Sequence, residues 1–204
     1  MAIEEITQQM FSDLNLKYSF EEKMKNIYLK YNNIILRNAE VRDAKQLTIW
    51  WNDGAVMAHA GFPNGLGTCE EEVIKKLDNG RMIIEENNRL IGECSYRGVD
   101  EQSAEIGIKI CETDCQNRGV GRIVLSMLIE WLLENGYSKI ILDTNLKNIR
   151  AQHVYESLGF KKIRENINSW RDQLGELQSS VDYELNKDDF VSFIKLGEIK
   201  NEIS

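Results

Sequence analysis

A regular alternation of strand-like and helix-like segments over residues 34–187 constrains the fold of this chain most. Short apolar runs typical of strands, such as SAEIGIKI at 103–110 and KIILDT at 139–144, alternate with segments whose apolar residues recur every three or four positions. The clearest helical stripe comprises Val120, Ile123, Val124, Met127, Leu128 and Trp131. Because no long break interrupts this alternation, we predict an α/β or α+β fold in which helices flank one sheet.

The 204 residues suffice for one domain with a short appendage. The segment SFEEKMKNIYLKYNN at 19–33 differs from the rest, because four of its apolar residues follow the spacing of an amphipathic helix. These residues are Phe20, Met24, Ile27 and Tyr28. We therefore predict a helical N-terminal extension over 1–33, a main domain over 34–187 and a C-terminal tail over 188–204.

The composition is that of an ordinary folded protein. Apolar residues make up 42% of the chain and charged residues 28%, and no apolar run approaches the ~20 residues of a membrane span. The start MAIEEITQQM lacks the basic and apolar parts of a signal peptide, so we expect a cytoplasmic protein that binds no membrane. The net charge of −8 disfavours nucleic acid as a partner and suits a cationic molecule.

The four cysteines form no C-x-x-C pair. Two of them, Cys111 and Cys115, stand four apart, but both histidines lie far from them in the sequence. A zinc site needs such partners. We therefore expect reduced thiols and no metal.

The stretch CQNRGVGR at 115–122 places two glycines directly ahead of the strongest helical segment. A P-loop would require G-x-x-x-x-G-K-[ST], which does not occur in the chain. The dinucleotide fingerprint G-x-G-x-x-G is disfavoured because Val124 takes the place of its third glycine. A third phosphate-binding design, Q/R-x-x-G-x-G/A, is complete at Gln116, Asn117, Arg118, Gly119, Val120 and Gly121.

This stretch fits either an anion site or a tight turn. Glycines let the backbone approach an anion closely, and the N–H groups and dipole at the start of a helix favour negative charge. Arg118 and Arg122 can add charge from the flanks. A simple strand-to-helix turn would explain the two glycines equally well, so a second motif is needed to choose.

That second motif is NIRAQHVYESLGF at 148–160. Together the two motifs resemble the GNAT superfamily of N-acetyltransferases, and the resemblance runs from about Ile34 to Leu185. It implies acetyl coenzyme A as the co-substrate, without a metal. It also implies a mixed, strongly twisted sheet with splayed middle strands, flanked by helices, in the main domain. The pyrophosphate of coenzyme A would lie on the loop at 116–122.

The resemblance implies roles for individual residues. The backbone of Ile108, Lys109 and Ile110 is expected to hydrogen-bond the pantetheine arm like an added strand. Asn148 is expected to reach the same arm, and as an N-cap it would also begin the next helix. Tyr155 matches the tyrosine that protonates the departing thiolate, although core packing would also explain a helical aromatic residue. Further cofactor contacts are expected from Gln116, Asn117, Arg118, Gly119, Val120, Gly121 and Arg122.

Two residues are candidates for the base that takes the proton of the attacking amine. Glu105 matches a position that is often acidic in the family, but an ion pair at a strand end would explain it equally well. His59 in the glycine-rich loop is the second candidate, because an imidazole accepts protons near neutral pH. An incidental loop histidine is the more common case. No cysteine has an activating base beside it in the sequence, so we expect direct transfer to the amine.

The expected acceptor is a primary amine. It is either a small cationic molecule, such as an aminoglycoside or a polyamine, or the N-terminus of a protein. Its predicted pocket contains Trp51, Asp53, His59 and Trp170, although core packing is the alternative for Trp51. A homodimer is compatible with these expectations. The alternative function is a sensor or scaffold of the same fold that binds acetyl coenzyme A without transferring the acetyl group.

Overall fold

The computed structural model describes residues 27–77, 80–195 and 200–201. Their strands form one sheet in the order β7-β8-β6-β5-β4-β3-β2-β1-β9. The strands are β1 (Tyr28–Tyr31), β2 (Ile34–Asn38), β3 (Arg81–Glu86), β4 (Arg89–Gly98), β5 (Ser103–Ile110), β6 (Lys139–Asn145), β7 (Lys161–Arg171), β8 (Leu177–Asn186) and β9 (Lys200–Asn201). The α-helices are α1 (Ala44–Asn52), α2 (Gly54–Met57), α3 (Glu70–Lys75), α4 (Val120–Glu134) and α5 (Ile149–Ser157). None of these helices is both long and apolar enough to cross a membrane.

The centre of the sheet opens into a cleft between β5 and β6. These two strands run parallel and pair only over 103–105 and 139–141. The other described strand pairs are antiparallel. Because β5 continues to Ile110 and β6 to Asn145 without further pairing, the two strands diverge toward their carboxyl ends. The predicted mixed sheet with splayed middle strands is confirmed.

Two hydrophobic clusters cover opposite faces of this sheet. Successive residues of a strand point to opposite faces. On β3, Ile84 packs in the cluster that contains α4 and α5, whereas Ile83 packs in the cluster that contains α1 and α3. The apolar stripe predicted for the central helix is buried, and Val124 and Leu128 are both 0% exposed. This packing fixes the N-terminus of α4 beside the cleft.

The helical extension predicted for 1–33 is wrong from Tyr28 onwards. Residues Tyr28–Tyr31 form β1, which pairs with β2 after a turn in which Asn32 adopts a positive φ of 54°. Leu29 is buried opposite Leu36, while its neighbours Tyr28 and Lys30 are half-buried. That alternation belongs to a strand rather than a helix. The remainder of the predicted helix, up to residue 26, lies outside the described residues.

The C-terminal tail predicted for 188–204 packs on the main domain wherever it is described. The segment 188–195 crosses α4, where the N–H of Phe193 donates to Ser126 Oγ at 3.0 Å and Ile194 is buried. Strand β9 extends the sheet beside β1. The tail therefore adds an edge strand beside β1 and covers part of the central helix.

Candidate active site

The cleft between β5 and β6 holds a cavity of about 1120 Å³. We call the part lined by the loop at 115–122, apart from Arg118, and by α5 the cofactor half. The other part is the acceptor half, lined by Ala55, Val56, His59 and Ala60 and by the side chains of Arg81, Glu93, Ser95, Lys109 and Trp170. Six charged residues line the whole cavity: the cations Arg81, Lys109, Arg122 and Arg150 and the carboxylates Glu93 and Asp143. The lining is thus positive, although the chain carries a net charge of −8.

The glycine loop leaves an open cradle in the cofactor half. Asn117 and Gly119 adopt positive φ angles of 58° and 83°, and turns of this kind direct successive N–H groups toward an anion. A Cβ placed on Gly121 would meet no heavy atom within 4 Å, and one on Gly119 would meet only Arg122, at 3.7 Å. This free space at the N-terminus of α4 fits a diphosphate group.

Gln116 anchors the loop to both walls of the cleft. Its Nε2 donates to the carbonyl of Ile110 at 2.8 Å, and its Oε1 accepts from Arg150 at 2.7 Å. The first bond ties the loop to the end of β5 and the second ties it to α5. The side-chain amide of Gln116 therefore holds the glycine loop in place and also positions the guanidinium of Arg150 beside it.

Ten of the eleven residues predicted to bind the cofactor line the cavity, and Arg118 is the exception. Its guanidinium forms two hydrogen bonds of 3.0 and 3.1 Å with Glu86 at the end of β3. The Glu86 side chain is only 9% exposed, and its buried carboxylate holds the guanidinium of Arg118 outside the cavity. Arg122 lines the cavity instead, with its guanidinium 4.8 Å from the centre of the Phe193 ring. The predicted flanking charge thus comes from Arg122 and Arg150.

Asn148 is the N-cap of α5. Its Oδ1 accepts from the N–H of Ala151 at 3.3 Å, and its Nδ2 donates to Thr144 Oγ1 at 3.4 Å. The residue also lines the cavity. The two interpretations of Asn148 are therefore compatible in the structure.

Tyr155 reaches the cavity from α5 at the junction of the two halves. The residue is buried, and its ring packs against Phe160 and Tyr183. Burial, together with the nearby charge of Asp143, raises the pKa of Tyr155 to about 12. At neutral pH the phenol therefore keeps its proton, which is the state a general acid requires.

The structure separates the candidate bases. Glu105 pairs with Arg97 and does not line the cavity, so its carboxylate is used in an ion pair. His59 lines the cavity and is exposed. Asp143 on β6 also lines it and was missed as a site residue from the sequence. Asp143 is exposed to the cleft. Partial desolvation by the cleft and the charges of Glu105 and Asp182 raise the pKa of Asp143, which makes it a stronger base than an ordinary aspartate.

Two residues predicted for the acceptor pocket have structural roles. Trp51 is 5% exposed and packs in the core, where its indole N–H donates to Glu93 at 3.0 Å. Asp53 caps α2 by accepting from the N–H of Ala55 at 2.7 Å, and it lies outside the cavity lining. The sequence could not separate these roles from substrate contact, because both residues are compatible with either.

Trp170 does line the acceptor half, at the end of β7. Its ring lies over Gly61, where an added Cβ would come within 2.4 Å of the indole. Gln173 fastens the same hairpin, since its N–H donates to the Gly61 carbonyl at 2.8 Å and its side chain donates to Gly65 at 2.9 Å. Glycine at position 61 therefore lets the β7–β8 hairpin close over the loop after α2.

The centre of the acceptor half is an ion cluster around Glu93. This carboxylate accepts from Arg81 Nη1, Lys109 Nζ and the indole of Trp51, each at 3.0 Å. Arg81 and Glu93 were missed from the sequence, and Lys109 was predicted only for its backbone. The available signal was a glutamate in the buried middle of strand β4, which indicates a charge that needs partners.

The cysteines that line the cavity are Cys94 and Cys115. Burial raises the pKa of both thiols and of Cys111 in the cluster that contains α1 and α3, so none of the three is an activated thiolate. Within the described residues no group of His, Cys, Asp and Glu is arranged to hold a metal ion.

Comparison with known proteins identifies the family. The model of the acetyltransferase (GNAT) domain matches residues 33–161. The chain therefore belongs to the GNAT acetyltransferase family, and the predicted family and fold are confirmed.

Individual relatives are distant. The uncharacterized protein MJ1062 of Methanocaldococcus jannaschii is 34% identical over 92 residues, which are 44% of this chain and 19% of that protein. The curated relatives are matched over only 19% to 40% of their own length.

Solved structures match over most of the chain. A spermidine N-acetyltransferase from Vibrio cholerae, in complex with CoA and spermine, superposes with a TM-score of 0.66 at 22% identity and covers 77% of this chain and 97% of its own. RimL, a ribosomal L7/L12 alpha-N-protein acetyltransferase in complex with CoA, superposes with a TM-score of 0.69 at 16% identity and covers 78% and 96%. At these identities the similarity concerns the fold.

Proposed function

We propose that this protein transfers the acetyl group of acetyl coenzyme A to a primary amine. The observation that carries the proposal is the continuity of one cavity, which joins the open glycine cradle, the unpaired ends of β5 and β6, and the side chains of Tyr155 and Asp143. The similar folds solved with CoA support the choice of co-substrate.

Two parts of coenzyme A, the pyrophosphate and the pantetheine arm, have matching partners in the cleft. The cradle at 119–122, the N-terminus of α4 and the guanidinium of Arg122 offer N–H groups and positive charge to a pyrophosphate. The edge of β5 at 108–110 faces the opening without pairing to β6. Apart from the Ile110 carbonyl, which accepts from Gln116, this edge can hydrogen-bond the amides of a pantetheine arm. Bound in this way, acetyl coenzyme A supplies an activated thioester at the middle of the cleft.

The side chains at the junction then handle two protons. Asp143 accepts the proton that the attacking amine loses when its nitrogen bonds to the acetyl carbon. Tyr155 donates its proton to the sulfur as the carbon–sulfur bond breaks. The products are an N-acetylated amine and free coenzyme A, and a proton passed from Asp143 to Tyr155 through water restores the starting state.

The test combines binding with turnover. Isothermal titration calorimetry with coenzyme A measures binding to the cleft, and release of free thiol from acetyl coenzyme A measures transfer to amino acids, polyamines, aminoglycosides and peptides. We expect micromolar-range binding and turnover that depends on the added amine. Binding without turnover on any amine would favour the sensor or scaffold, and absence of binding would refute the proposal.

A further inference from the structure

The acceptor half contains a positive edge that the protein does not neutralise. Glu93, which is 1% exposed, is the shared partner of Arg81 and Lys109. The side chains of those two cations are 25% and 31% exposed, and both line the cavity. The single carboxylate is therefore enclosed, and two cations face the cavity with one positive charge in excess.

Arg81 has donors that the protein leaves unused. Its Nη1 binds Glu93, whereas its Nε is buried without any hydrogen-bond partner among the described residues. Its guanidinium lies 5.3 Å from the ring centre of Trp51, which holds its plane in place. The enclosed Nε cannot be reached from the cavity, whereas Nη2 has no hydrogen bond to the described residues and belongs to a side chain that is 25% exposed. A guanidinium N–H forms a charge-assisted hydrogen bond with a carboxylate oxygen, so an anion that contacts Nη2 and Lys109 would be stabilising.

Strand register relates Arg81 to the reacting groups. Arg81 pairs with Ser95, and Ser95 pairs with Gly107. The last residue pair of β5 and β6 is Glu105 with Ile141. Gly107 lies two residues beyond that pair on β5 and Asp143 lies two residues beyond it on β6, so the two face each other across the opening. With neighbouring strands about 4.8 Å apart, a short molecule lying over the small residues Ser95 and Gly107 can extend from Asp143 toward Arg81.

We propose that the acceptor is an amino acid, whose carboxylate binds to Arg81 and Lys109 while its amine lies at Asp143 and Tyr155. This inference rests on the acetyl transfer proposed above. A polyamine would need a second carboxylate for its second ammonium. Among the described lining residues only Glu93 and Asp143 are acidic, and Glu93 is enclosed by its three donors.

Matched acceptors test this proposal. Glycine, β-alanine and longer ω-amino acids are compared, each with its own primary amide, as acceptors of acetyl coenzyme A. We expect the preferred acid to exceed its amide by at least about tenfold in kcat/KM, which corresponds to about 1.4 kcal/mol. Arg81→Gln should make acid and amide equal, and Arg81→Lys should retain part of the preference. Arg42→Gln is the control, because Arg42 pairs with Glu40 on the surface away from the cavity.

Two results would overturn the proposal: equal kcat/KM for acid and amide in the wild type, or higher kcat/KM for spermidine than for every amino acid. If no amine is acetylated, calorimetry of the same pairs with the coenzyme A complex decides. Tighter binding of the acids that Arg81→Gln abolishes would support the carboxylate site while refuting transfer, and equal binding would refute the site. Thermal denaturation of both Arg81 variants shows that each is folded.

Discussion

The two halves of the cavity are built in different ways. The cofactor half consists of contiguous segments, the loop at 115–122 and the start of α5, and it presents backbone N–H groups. The acceptor half consists of single side chains from three strands, from α2 and the turn after it, and from the end of β7. The residues of the cofactor half are close together in the sequence, whereas those of the acceptor half are brought together by strand pairing.

This difference explains which half has a sequence signature. A site made of backbone needs particular conformations, such as the positive φ of Gly119, and only a few residue types adopt them. A site made of side chains needs only the right neighbours across strands. Arg81, Ser95 and Gly107 stand side by side through the pairing of β3, β4 and β5, and nothing in their local sequence marks them.

The substitution expected to have the largest effect is Gly121→Glu in the cofactor half. A carboxylate would enter the cradle, so we expect acetyl coenzyme A to bind about 10³-fold more weakly, or about 4 kcal/mol. The fold should persist, because an added Cβ meets no atom within 4 Å and an acidic residue in the first turn of a helix is favourable. Calorimetry with coenzyme A measures the loss.

Gly121→Ala is the matched control for this variant. It adds a methyl group without charge, and we expect its affinity to fall by less than about tenfold. If Gly121→Glu bound coenzyme A as tightly as the wild type, the pyrophosphate would lie elsewhere, and the glycines would be only a turn.

At the junction of the two halves, Tyr155→Phe should lower kcat by about 10²-fold, because the departing sulfur loses its proton donor. The dissociation constant for coenzyme A should stay within about twofold. Tyr183→Phe is the control: it removes the hydroxyl of the adjacent buried tyrosine, which donates to Glu156 at 2.9 Å outside the cavity. Steady-state thiol release measures both variants. Equal losses of kcat in the two would assign Tyr155 to packing alone.

The residues predicted from sequence divide along the same line. The glycine loop, Asn148 and Tyr155 carry positional motifs, and the structure brings them together in one cavity. Arg118 lies in the motif too, but a buried glutamate from a distant strand draws it away. Trp51 and Asp53 have side chains that suit a substrate pocket, but Trp51 is buried in the core and Asp53 caps a helix. Residue type and spacing cannot show which partner a side chain meets across the sheet.

The start of the sheet gives the same lesson at the level of the fold. The spacing of apolar residues around Tyr28 fits a helix, but pairing with β2 makes the segment a strand. Helical periodicity over a short segment is a weak signal once a neighbouring strand offers a full set of backbone partners.

Asp143→Asn tests a residue that belongs to neither sequence motif and that only the structure places in the cavity. We expect kcat/KM to fall by about 10²-fold through loss of the proton acceptor. Wild-type kcat/KM should also fall as the pH drops through the pKa of Asp143, which partial desolvation in the cleft and two neighbouring carboxylates hold above its ordinary value. Since asparagine does not titrate, this acid limb should disappear in the variant. A pH profile of thiol release measures both effects.

Glu105→Gln is the control, since Glu105 pairs with Arg97 outside the cavity. It should keep kcat/KM within about threefold and retain an acid limb, moved slightly to lower pH because one neighbouring charge of Asp143 is gone. A larger loss in Glu105→Gln than in Asp143→Asn would reverse the two roles and restore the position expected from the family resemblance.

The smallest effect concerns the C-terminal segment 188–195, which reaches the cofactor half through the contact of Phe193 with Arg122. Phe193→Leu keeps an apolar side chain but removes the aromatic face, and a cation–π contact at such a partly exposed site is worth about 0.5–1 kcal/mol. If this contact holds Arg122 ready for a pyrophosphate, KM for acetyl coenzyme A should rise about two- to fivefold. Acetyl-pantetheine, which has no phosphate, should react unchanged as donor, and Phe193→Tyr should restore the wild-type KM. An equal loss with both donors would mean that the segment supports the fold rather than the charge of the cofactor half.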